Sequence, residues 1–480
     1  MRISEALDLN KSRLELDFFD YEISRDNEAF LDPYYIARKE DKFLEECNIY
    51  IETFFERFLY LLKEDEDAAG DLFSHLGEVN EICLGMSKRT PAGRGIGIIN
   101  TDAIFMAIKE SRAFQEGTAQ KIEDIRLFIP GIDKDKVSDM VANIIKWPLI
   151  KYTQEQCKLL GVPLELVETG YYWDKEKWVR GHNETIVIDD KIYLLYPKNL
   201  VSNARHYSSN EYFKMYVLKY LQNKHLQEDS SLVHKTYDKN GVVKNAKVYK
   251  KDIEEDFKSK GEFITKDWLA RFTKENPTVY AEFRRDTITK ISNSEYEDIS
   301  QEEVVEIIDK LIEKLKEITV GGAQATKYHH LISGILELLF YPNIAHPRVE
   351  QEIHDGRKRI DLVFDNIAET GFFYLLGTTY DVPCSWIMVE CKNYSKDISN
   401  PELDQMAGRF AARRGKFGII CCRDLVDEEK FIERERDTVK DGRGWIIHLT
   451  DREIINLLEQ KKNGMQVDDY LVKKYSEIIE

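Results

Sequence analysis

The sequence lacks three features that would have placed the protein in a specialised class. No apolar run reaches the roughly 18 residues that a helix needs to cross a membrane, and the opening residues, Met1 to Glu5, do not provide the apolar region of a signal peptide. The seven cysteines form no CxxC pair, so we predict neither a zinc site nor a disulfide framework. We therefore expect a cytoplasmic protein with reduced thiols and no membrane contact.

The chain also lacks an excess of positive charge. The chain carries 69 lysines and arginines against 87 aspartates and glutamates, which gives a net charge of −18. This balance argues against a generic polyanion binder, because affinity for phosphates comes from lysine and arginine. Residues 323–460 hold 18 lysines and arginines against 23 acids, a net of −5. Most of the acidic excess is therefore in residues 1–322, and a local basic face can exist in the C-terminal part.

A chain of 480 residues exceeds one ordinary core and predicts two to four domains. Residues 1–170 are predicted to be mainly helical and to regulate or oligomerise, and residues 171–300 to form a mixed α+β region. Residues 301–322 are typical of a connecting amphipathic helix, which could instead pair with a second chain. The remaining divisions are a C-terminal domain at residues 323–460 and a tail at residues 461–480.

Two stretches outside the C-terminal domain have both a functional and a structural interpretation. The alternating glycines of Pro91 to Ile99 could let the backbone approach a phosphate, but they lack the spacing of a phosphate-binding loop, which favours a plain flexible turn. The basic segment from Val242 to Lys251 could contact nucleic acid, or it could be an exposed strand with protective lysines. The sequence leaves both alternatives open.

The stretch Trp386 to Lys392 is chemically unusual, because a short apolar run ends in a carboxylate, one spacer and an amine. Successive side chains of a strand alternate between the two faces of a sheet. Glu390 and Lys392 are therefore predicted to project from one face and Cys391 from the other, where Cys391 packs as a small apolar side chain.

A second short strand, Arg359 to Phe364, is predicted to follow Val349 to Ile353 through a turn at His354 to Gly356. This hairpin leads to Asp361. Two carboxylates on neighbouring strands can share a hard divalent cation, and a lysine beside them adds a positive charge. The combination suits the hydrolysis of phosphodiester bonds. The structural alternatives are a buried ion pair for Glu390 and Lys392 and an edge position for Asp361.

The elements around these strands follow the order helix, three strands, helix, strand, helix, strand. The first helix, around residues 328–340, carries Glu337 on a polar face, where an ordinary exposed acid is the alternative. The next helix is predicted to run from Pro401 to Arg414, with Gln405, Arg409 and Arg413 at i, i+4 and i+8.

With this order, residues 323–460 resemble the PD-(D/E)XK nuclease superfamily, whose members share the restriction-endonuclease-like fold. Asp361, Glu390 and Lys392 match the acid and the acid-x-Lys of that superfamily, Gln405 matches a polar residue on the following helix, and Glu337 matches an acid on the first helix. The chain departs from the pattern in the 28 residues between Asp361 and Glu390, which suggest an extra hairpin or a dimer contact.

The resemblance implies an α/β domain with a mixed central sheet flanked by helices. It implies that Asp361, Glu390, Lys392 and Gln405 are catalytic, and that Glu337, Asp361, Glu390 and the carbonyl of Cys391 bind Mg²⁺, with Mn²⁺ as a substitute. Lysine would orient or deprotonate the attacking water or neutralise developing charge.

No acid occurs from Gln405 to Cys422, so we expect the basic residues of this stretch to contact DNA phosphates. Solvent exposure with salt bridges to nearby helices is the alternative. The basic residues concerned are Arg409, Arg413, Arg414 and Lys416.

The leading hypothesis is a Mg²⁺-dependent DNA endonuclease, by analogy a prokaryotic restriction or anti-phage effector that its N-terminal region regulates. An RNA nuclease with the same site and a catalytically silent nucleic-acid-binding or scaffold protein are the alternatives. We expect a homo-oligomer and a regulatory or sensor protein as further partners.

Overall fold

The computed structural model describes residues 1–27, 29–77, 79–84, 98–119, 121–201, 207–288, 299–353 and 358–479. The glycines between positions 91 and 97 and the turn at positions 354–356 lie outside these residues. The described part of the chain is a mixed α/β protein with two antiparallel sheets and one larger mixed sheet. It contains no helix with the length and apolar character that a membrane crossing requires.

The N-terminal core is built around one long helix, α3, whose stripe of apolar side chains is buried. Cys47, Phe54 and Phe58 on this stripe are fully buried, as the helical spacing predicts. The helix ends at Glu64, and Asp65 caps the next helix with its side chain. The helices of this region are α1 (Ile3–Ala6), α2 (Pro33–Ile36), α3 (Lys42–Glu64), α4 (Glu66–Phe73), α5 (Ile98–Glu110), α6 (Arg112–Gln115), α7 (Ile122–Phe128), α8 (Lys134–Ile144) and α9 (Lys146–Leu160).

A three-stranded antiparallel sheet completes this core: β1 (Glu165–Trp173), β2 (Trp178–Ile188) and β3 (Lys191–Tyr193). A two-residue turn at Asp189 and Asp190 joins β2 to β3, which pair across these residues, and both aspartates have the positive φ that such a hairpin turn requires. The buried residues of this core lie between Ile3 and Leu200, so the first core extends about 30 residues beyond the expected boundary at residue 170.

A separate core lies mainly in residues 207–288, where the aromatic side chains of Tyr212 and Phe283 pack together. One continuous helical stretch contains α10 (Ser209–Glu211), a π-helical segment (Tyr212–Val217) and α11 (Leu218–Gln227). A two-stranded antiparallel hairpin follows, with β4 (His234–Tyr237) and β5 (Val243–Lys247). The helices α12 (Lys250–Ser259), α13 (Lys266–Glu275) and α14 (Pro277–Ile288) close the unit.

The C-terminal part contains a five-stranded sheet in the order β10-β9-β8-β7-β6. Strands β6, β7 and β8 pair antiparallel, whereas β8, β9 and β10 pair parallel. The strands are β6 (Ile344–Ile353), β7 (Lys358–Asn366), β8 (Trp386–Lys392), β9 (Phe417–Cys422) and β10 (Trp445–Thr450). The helices are α15 (Gln301–Glu317), α16 (Ala325–Phe340), α17 (Gly371–Thr378), α18 (Asn400–Ala407), α19 (Glu428–Lys440), α20 (Asp451–Lys462) and α21 (Asp468–Ile479).

The predicted succession of helices and strands is confirmed, but the insert before β8 differs from the expectation. It forms the helix α17, not a hairpin, and Phe372, Phe373 and Leu376 are fully buried in the C-terminal core. This insert is therefore part of the core and does not offer these side chains to a second chain. In a strand, Phe372 and Phe373 would point to opposite faces. In a helix, Phe372, Phe373 and Leu376 can pack against the same surface.

Three further features of the C-terminal part differ from the sequence-based expectation. The helix α15, expected to connect two domains, buries Ile308 and Leu311 in the C-terminal core. The tail at residues 461–480 contains the helix α21, whose Leu471 lies in the same core. The helix predicted to reach Arg414 ends at Ala407, so the i+8 spacing that placed Arg413 on one face with Gln405 does not apply.

Candidate active site

The candidate site lies where β7 and β8 meet. These strands pair antiparallel with Leu362 opposite Val389, and the same register continued by one residue sets Asp361 opposite Glu390. Opposite residues of an antiparallel pair point to the same face of the sheet. The two carboxylates therefore share a face, as predicted, with Lys392 two residues further along β8.

The pair Glu390 and Lys392 is buried and joined directly. The Glu390 side chain has no exposed surface, and that of Lys392 is 8% exposed. The Lys392 Nζ donates to Glu390 Oε2 at 3.0 Å and to Gln405 Oε1 at 3.3 Å. The ammonium is thus held between a carboxylate on β8 and an amide on α18, which fixes its position.

Arg409 occupies a position that the sequence did not predict. It was expected on an exposed basic face, but it is buried and forms an ion pair with Glu390 Oε1. Burial lowers the pKa of the Arg409 guanidinium below its ordinary value, whereas the negative charge of Asp361 opposes this change. The guanidinium therefore lies within the field of both predicted metal-binding carboxylates.

The remaining basic residues differ in exposure. Arg413 is exposed, as a phosphate-binding side chain would be. Arg414 is partly buried and donates from Nε and Nη2 to the carbonyl of Arg409, at 3.3 and 3.2 Å. Lys416 is partly exposed immediately before β9. Of the predicted DNA-contacting residues, Arg413 is thus the most accessible.

The donor groups fit a divalent cation in their chemistry. Asp361 and Glu390 supply carboxylate oxygens, of which Glu390 Oε1 is paired with the guanidinium of Arg409, so a cation bound there would displace this arginine. The carbonyl of Cys391 accepts a hydrogen bond from His329 Nε2 at 3.0 Å, which leaves it one further lone pair. Oxygen ligands of this kind are those that Mg²⁺ prefers.

Glu337 is not brought to this cluster. Its helix α16 packs on the sheet face of Leu362, Val389 and Cys391, whereas Asp361 and Glu390 alternate with these residues and point to the face covered by α18. The α16 residue nearest the end of β8 is His329. Glu337 lies eight residues further along the helix, which corresponds to about 12 Å.

Glu337 instead belongs to a buried polar cluster between the N-terminal core and the C-terminal sheet. We call this cluster, formed by Asp17, Asp41, Lys198, Glu337 and His346, the seam. Its Oε1 is 3.6 Å from the Nζ of Lys198, and both side chains are buried. Burial is the main cause that raises the pKa of Glu337 to about 8, and the negative charge of Asp17 adds to it.

At the centre of the seam, His346 on β6 lies between two aspartates of the N-terminal core. Its Nε2 is 2.7 Å from Asp41 Oδ2, its Nδ1 is 3.4 Å from Asp17 Oδ2, and its backbone amide donates to Asp17 Oδ1 at 2.8 Å. Burial alone would lower the pKa of His346, but Asp41 and Asp17 outweigh it and hold the pKa well above its ordinary value. For both aspartates, His346 in turn outweighs burial and lowers the pKa.

A second buried cluster surrounds His448 on β10. In the described part of the chain, Glu428, His448 and Glu453 form the one group with the spacing of metal ligands. The Lys474 Nζ of α21 lies inside this group, 2.5 Å from Glu453 Oε1, 2.7 Å from His448 Nε2 and 3.4 Å from Glu428 Oε1. The ammonium supplies the positive charge there, so the cluster is explained as a structural ion network.

Four residues of these clusters were not among the predicted site residues: His329, His346, His448 and Lys474. Each histidine lies in or beside an apolar stretch of the sequence. This position indicates a buried side chain, and a buried histidine needs a polar partner. The partners of His346 come from positions more than 300 residues away, and no local pattern could have named them.

The fold and the site define a mixed α/β protein whose five-stranded sheet carries a buried carboxylate–lysine pair beside a second acid. Comparison with known families gives one match: residues 8–208 match a family model described as a domain of unknown function, DUF8370. This span agrees with the first core, from Ile3 to Leu200, and leaves the C-terminal sheet unmatched. No curated protein and no solved structure matches the chain.

Proposed function

We propose that the chain is a Mg²⁺-dependent endonuclease with a restriction-endonuclease-like C-terminal domain that hydrolyses DNA phosphodiester bonds at Asp361, Glu390 and Lys392. One observation carries the proposal. Two carboxylates share a face of adjacent strands, and the ammonium of Lys392 lies 3.0 Å from one of them. A buried charged pair of this kind is costly to maintain and is typical of a functional site.

The residues of the chain have distinct roles in this proposal. Asp361, Glu390 Oε1 and the Cys391 carbonyl would hold the ion, which when bound polarises the phosphate and lowers the pKa of a water. Lys392 orients the attacking water or offsets the charge that develops on the phosphate. Gln405 keeps the Lys392 ammonium in place through its Oε1. Arg413 and Lys416 contact the phosphates that flank the cut.

The direct test is cleavage of a plasmid by the full-length protein in Mg²⁺ and in EDTA. Lys392→Ala should lower the cleavage rate at least 100-fold, the lower end of what a positioned acid–base group contributes. The matched control is Lys430→Ala, because Lys430 also follows an acid by two positions but lies exposed on α19. Cleavage in EDTA, or cleavage that persists at the normal rate in Lys392→Ala, would refute the mechanism.

The chemistry of the site is the same for DNA and RNA, so the polymer is a separate part of the proposal. Incubation of the protein with matched duplexes of DNA and RNA in Mg²⁺ would decide between them. The setting of a prokaryotic restriction or anti-phage effector rests on analogy with the superfamily.

The ion pair of Arg409 with Glu390 favours one further candidate, a catalytically silent protein that binds nucleic acid. An internal guanidinium at Glu390 could replace a metal ion permanently. Calorimetry with Mg²⁺ and Mn²⁺ separates the two proposals. Binding that is lost in Glu390→Gln supports the nuclease, and the absence of binding together with normal DNA affinity supports the silent protein.

The seam supports the proposal that the N-terminal region regulates the nuclease. His346 on β6 pairs with Asp17 and Asp41, and β6 pairs with β7, which carries Asp361. A movement of the N-terminal core can therefore be transmitted to Asp361 through β6 and β7. His346→Gln should change the rate of plasmid cleavage at a constant Mg²⁺ concentration, and an unchanged rate would argue against this route.

A further inference from the structure

The hairpin of β4 and β5 is a strongly basic feature of an acidic protein. From His234 to Lys251 the chain holds six lysines and one aspartate, a local charge of +5 against −18 for the whole chain. The ammonium groups of Lys239 and Lys244 form no ion pair with a described residue, and both side chains are exposed. We refer to residues 234–251 as the basic ribbon.

The single acid of the basic ribbon does not neutralise these lysines. Asp238 Oδ1 accepts hydrogen bonds from the backbone amides of Asn240 and Val242, at 2.8 and 2.9 Å. These bonds close the turn, in which Gly241 has a positive φ. The carboxylate is thus committed to the turn. Lys235 and Lys251 pair with acids outside the ribbon, Asp229 and Glu255, whereas Lys239, Lys244 and Lys247 form no ion pair with a described residue.

The base of the basic ribbon is anchored, whereas its tip projects. Val248 is buried in the middle core, and its carbonyl accepts from Gln222 Nε2 at 2.5 Å. All residues of β5 are exposed, and the tip presents exposed apolar side chains, with Tyr237 60% and Val242 62% exposed. An isolated two-stranded hairpin is barely stable by itself, so its anchored base, where β5 meets α11, keeps the ribbon in place while the tip stays exposed.

Protection against edge-to-edge aggregation explains the lysines only in part. Protective lysines interrupt an apolar edge, but here exposed valines and a tyrosine stand at the tip between the lysines. Apolar groups surrounded by positive charge fit duplex DNA. Lysines bind its phosphates, and its major groove offers thymine methyl groups to apolar side chains.

We propose that the basic ribbon binds duplex DNA. Two strands about 4.8 Å apart with side chains on both faces match the major groove of B-form DNA, which admits a two-stranded ribbon. The deep and narrow major groove of duplex RNA does not. This inference concerns binding and does not rest on the proposed nuclease function.

The test measures binding of a fluorescent 20-base-pair DNA duplex to the full-length protein in EDTA, at several salt concentrations. The variant replaces three exposed lysines of the ribbon: Lys239→Gln, Lys244→Gln and Lys247→Gln. Each phosphate contact contributes about 0.9 to the slope of log affinity against log salt. The slope should therefore become shallower by about two to three, and the affinity near 0.1 M salt should fall at least tenfold.

A matched control removes the same charge elsewhere, through Lys63→Gln, Lys158→Gln and Lys310→Gln, three exposed lysines of α3, α9 and α15. This control should bind within twofold of the unsubstituted protein. Equal weakening in both triple variants, no weakening in the ribbon variant, or no DNA binding by the unsubstituted protein would overturn the inference, and the last result would assign the ribbon to a protein partner. Tighter binding of duplex RNA than of duplex DNA would overturn it as well.

These outcomes are distinct from those of the nuclease test. Ribbon-dependent binding without cleavage in Mg²⁺ would support the basic ribbon and refute the nuclease. Cleavage in Mg²⁺ together with unweakened DNA binding in the ribbon variant would refute the basic ribbon and leave the nuclease intact.

Discussion

The ion pairs of His346 with Asp17 and Asp41 stabilise the contact between the N-terminal core and β6. In His346→Gln, the side chains of Asp17 and Asp41, which are 1% and 3% exposed, lose their positive partner while they stay buried. Removal of one partner from a buried ion pair costs about 3–5 kcal/mol. We expect the contact between the N-terminal core and β6 to be weakened by this amount at pH 7.

The backbone amide of residue 346 reports on this contact directly, because it donates to Asp17 Oδ1 at 2.8 Å. Since about 1.4 kcal/mol corresponds to a factor of ten, hydrogen exchange at this amide should become roughly 100- to 4000-fold faster in His346→Gln. The exposed His182 provides the control variant, His182→Gln, which should leave this exchange unchanged. Acceleration of less than tenfold in His346→Gln would refute the energetic role assigned to the pair.

The same pair predicts a pH dependence. Because the pKa of His346 is raised in the fold, its stabilisation is complete below the ordinary value of 6.5 and is lost as the pH rises through the folded-state pKa. The pKa values of Asp17 and Asp41 are lowered, so their contribution is present above 3.8 and is lost as the pH falls through the folded-state values. The protection of the residue 346 amide, taken as its exchange rate relative to that of an unstructured peptide at the same pH, should therefore be greatest between these limits, and His346→Gln should lose the fall in protection on the alkaline side.

Three further predictions concern stability measured by urea unfolding. Glu337→Gln should remove the fall in stability that the unsubstituted chain shows as the pH rises from 4.5 to 8, because the folded-state pKa of Glu337 is about 8 against 4.5; an unchanged pH profile would contradict this. Lys474→Met should cost about 3–5 kcal/mol at pH 7. Burial raises the pKa of Glu453, but Lys474 and His448 hold it at about 2, so the contribution of this carboxylate is present above 4.5 and is lost as the pH falls towards 2. The variant should therefore lose its excess sensitivity to acid below pH 4.5, and an unchanged acid profile would argue against the network. Phe372→Ala should cost about 3–5 kcal/mol through the cavity it leaves, whereas Tyr374→Ala, at a side chain that is 43% exposed, should change stability by about 0.5 kcal/mol or less.

The order of helices and strands in the C-terminal part could be predicted because each element carries its own periodicity. The stretch Trp386 to Lys392 is a strand with six buried residues, and the alternation of its side chains was sufficient to place Glu390 and Lys392 on one face. The insert before it could not be assigned. An apolar run such as Gly371 to Leu376 satisfies a strand and a short helix equally, and only the sheet it packs on decides.

The positions of charged side chains were less predictable than the backbone. Glu337 was expected near the site because its helix carries a polar face, but the partner of that face is Lys198 of the N-terminal core. Arg409 was expected to be exposed because it lies in a basic stretch, but α18 ends at Ala407 and the chain then turns the guanidinium inward to Glu390. Such pairings depend on tertiary contacts that join distant parts of the sequence.

The place of β6 at the edge of the five-stranded sheet has a consequence for dissecting the protein. Helix α9 of the N-terminal core lies against this edge, where Gln156 Nε2 donates to the carbonyl of Pro347 at 3.3 Å. A fragment that began after residue 320 would also lack α15, so it would present an open strand, the uncovered carboxylate of Glu337 and a bare apolar surface. Open strand edges recruit further strands. Such a fragment should self-associate, and the sheet is best studied with the N-terminal core attached.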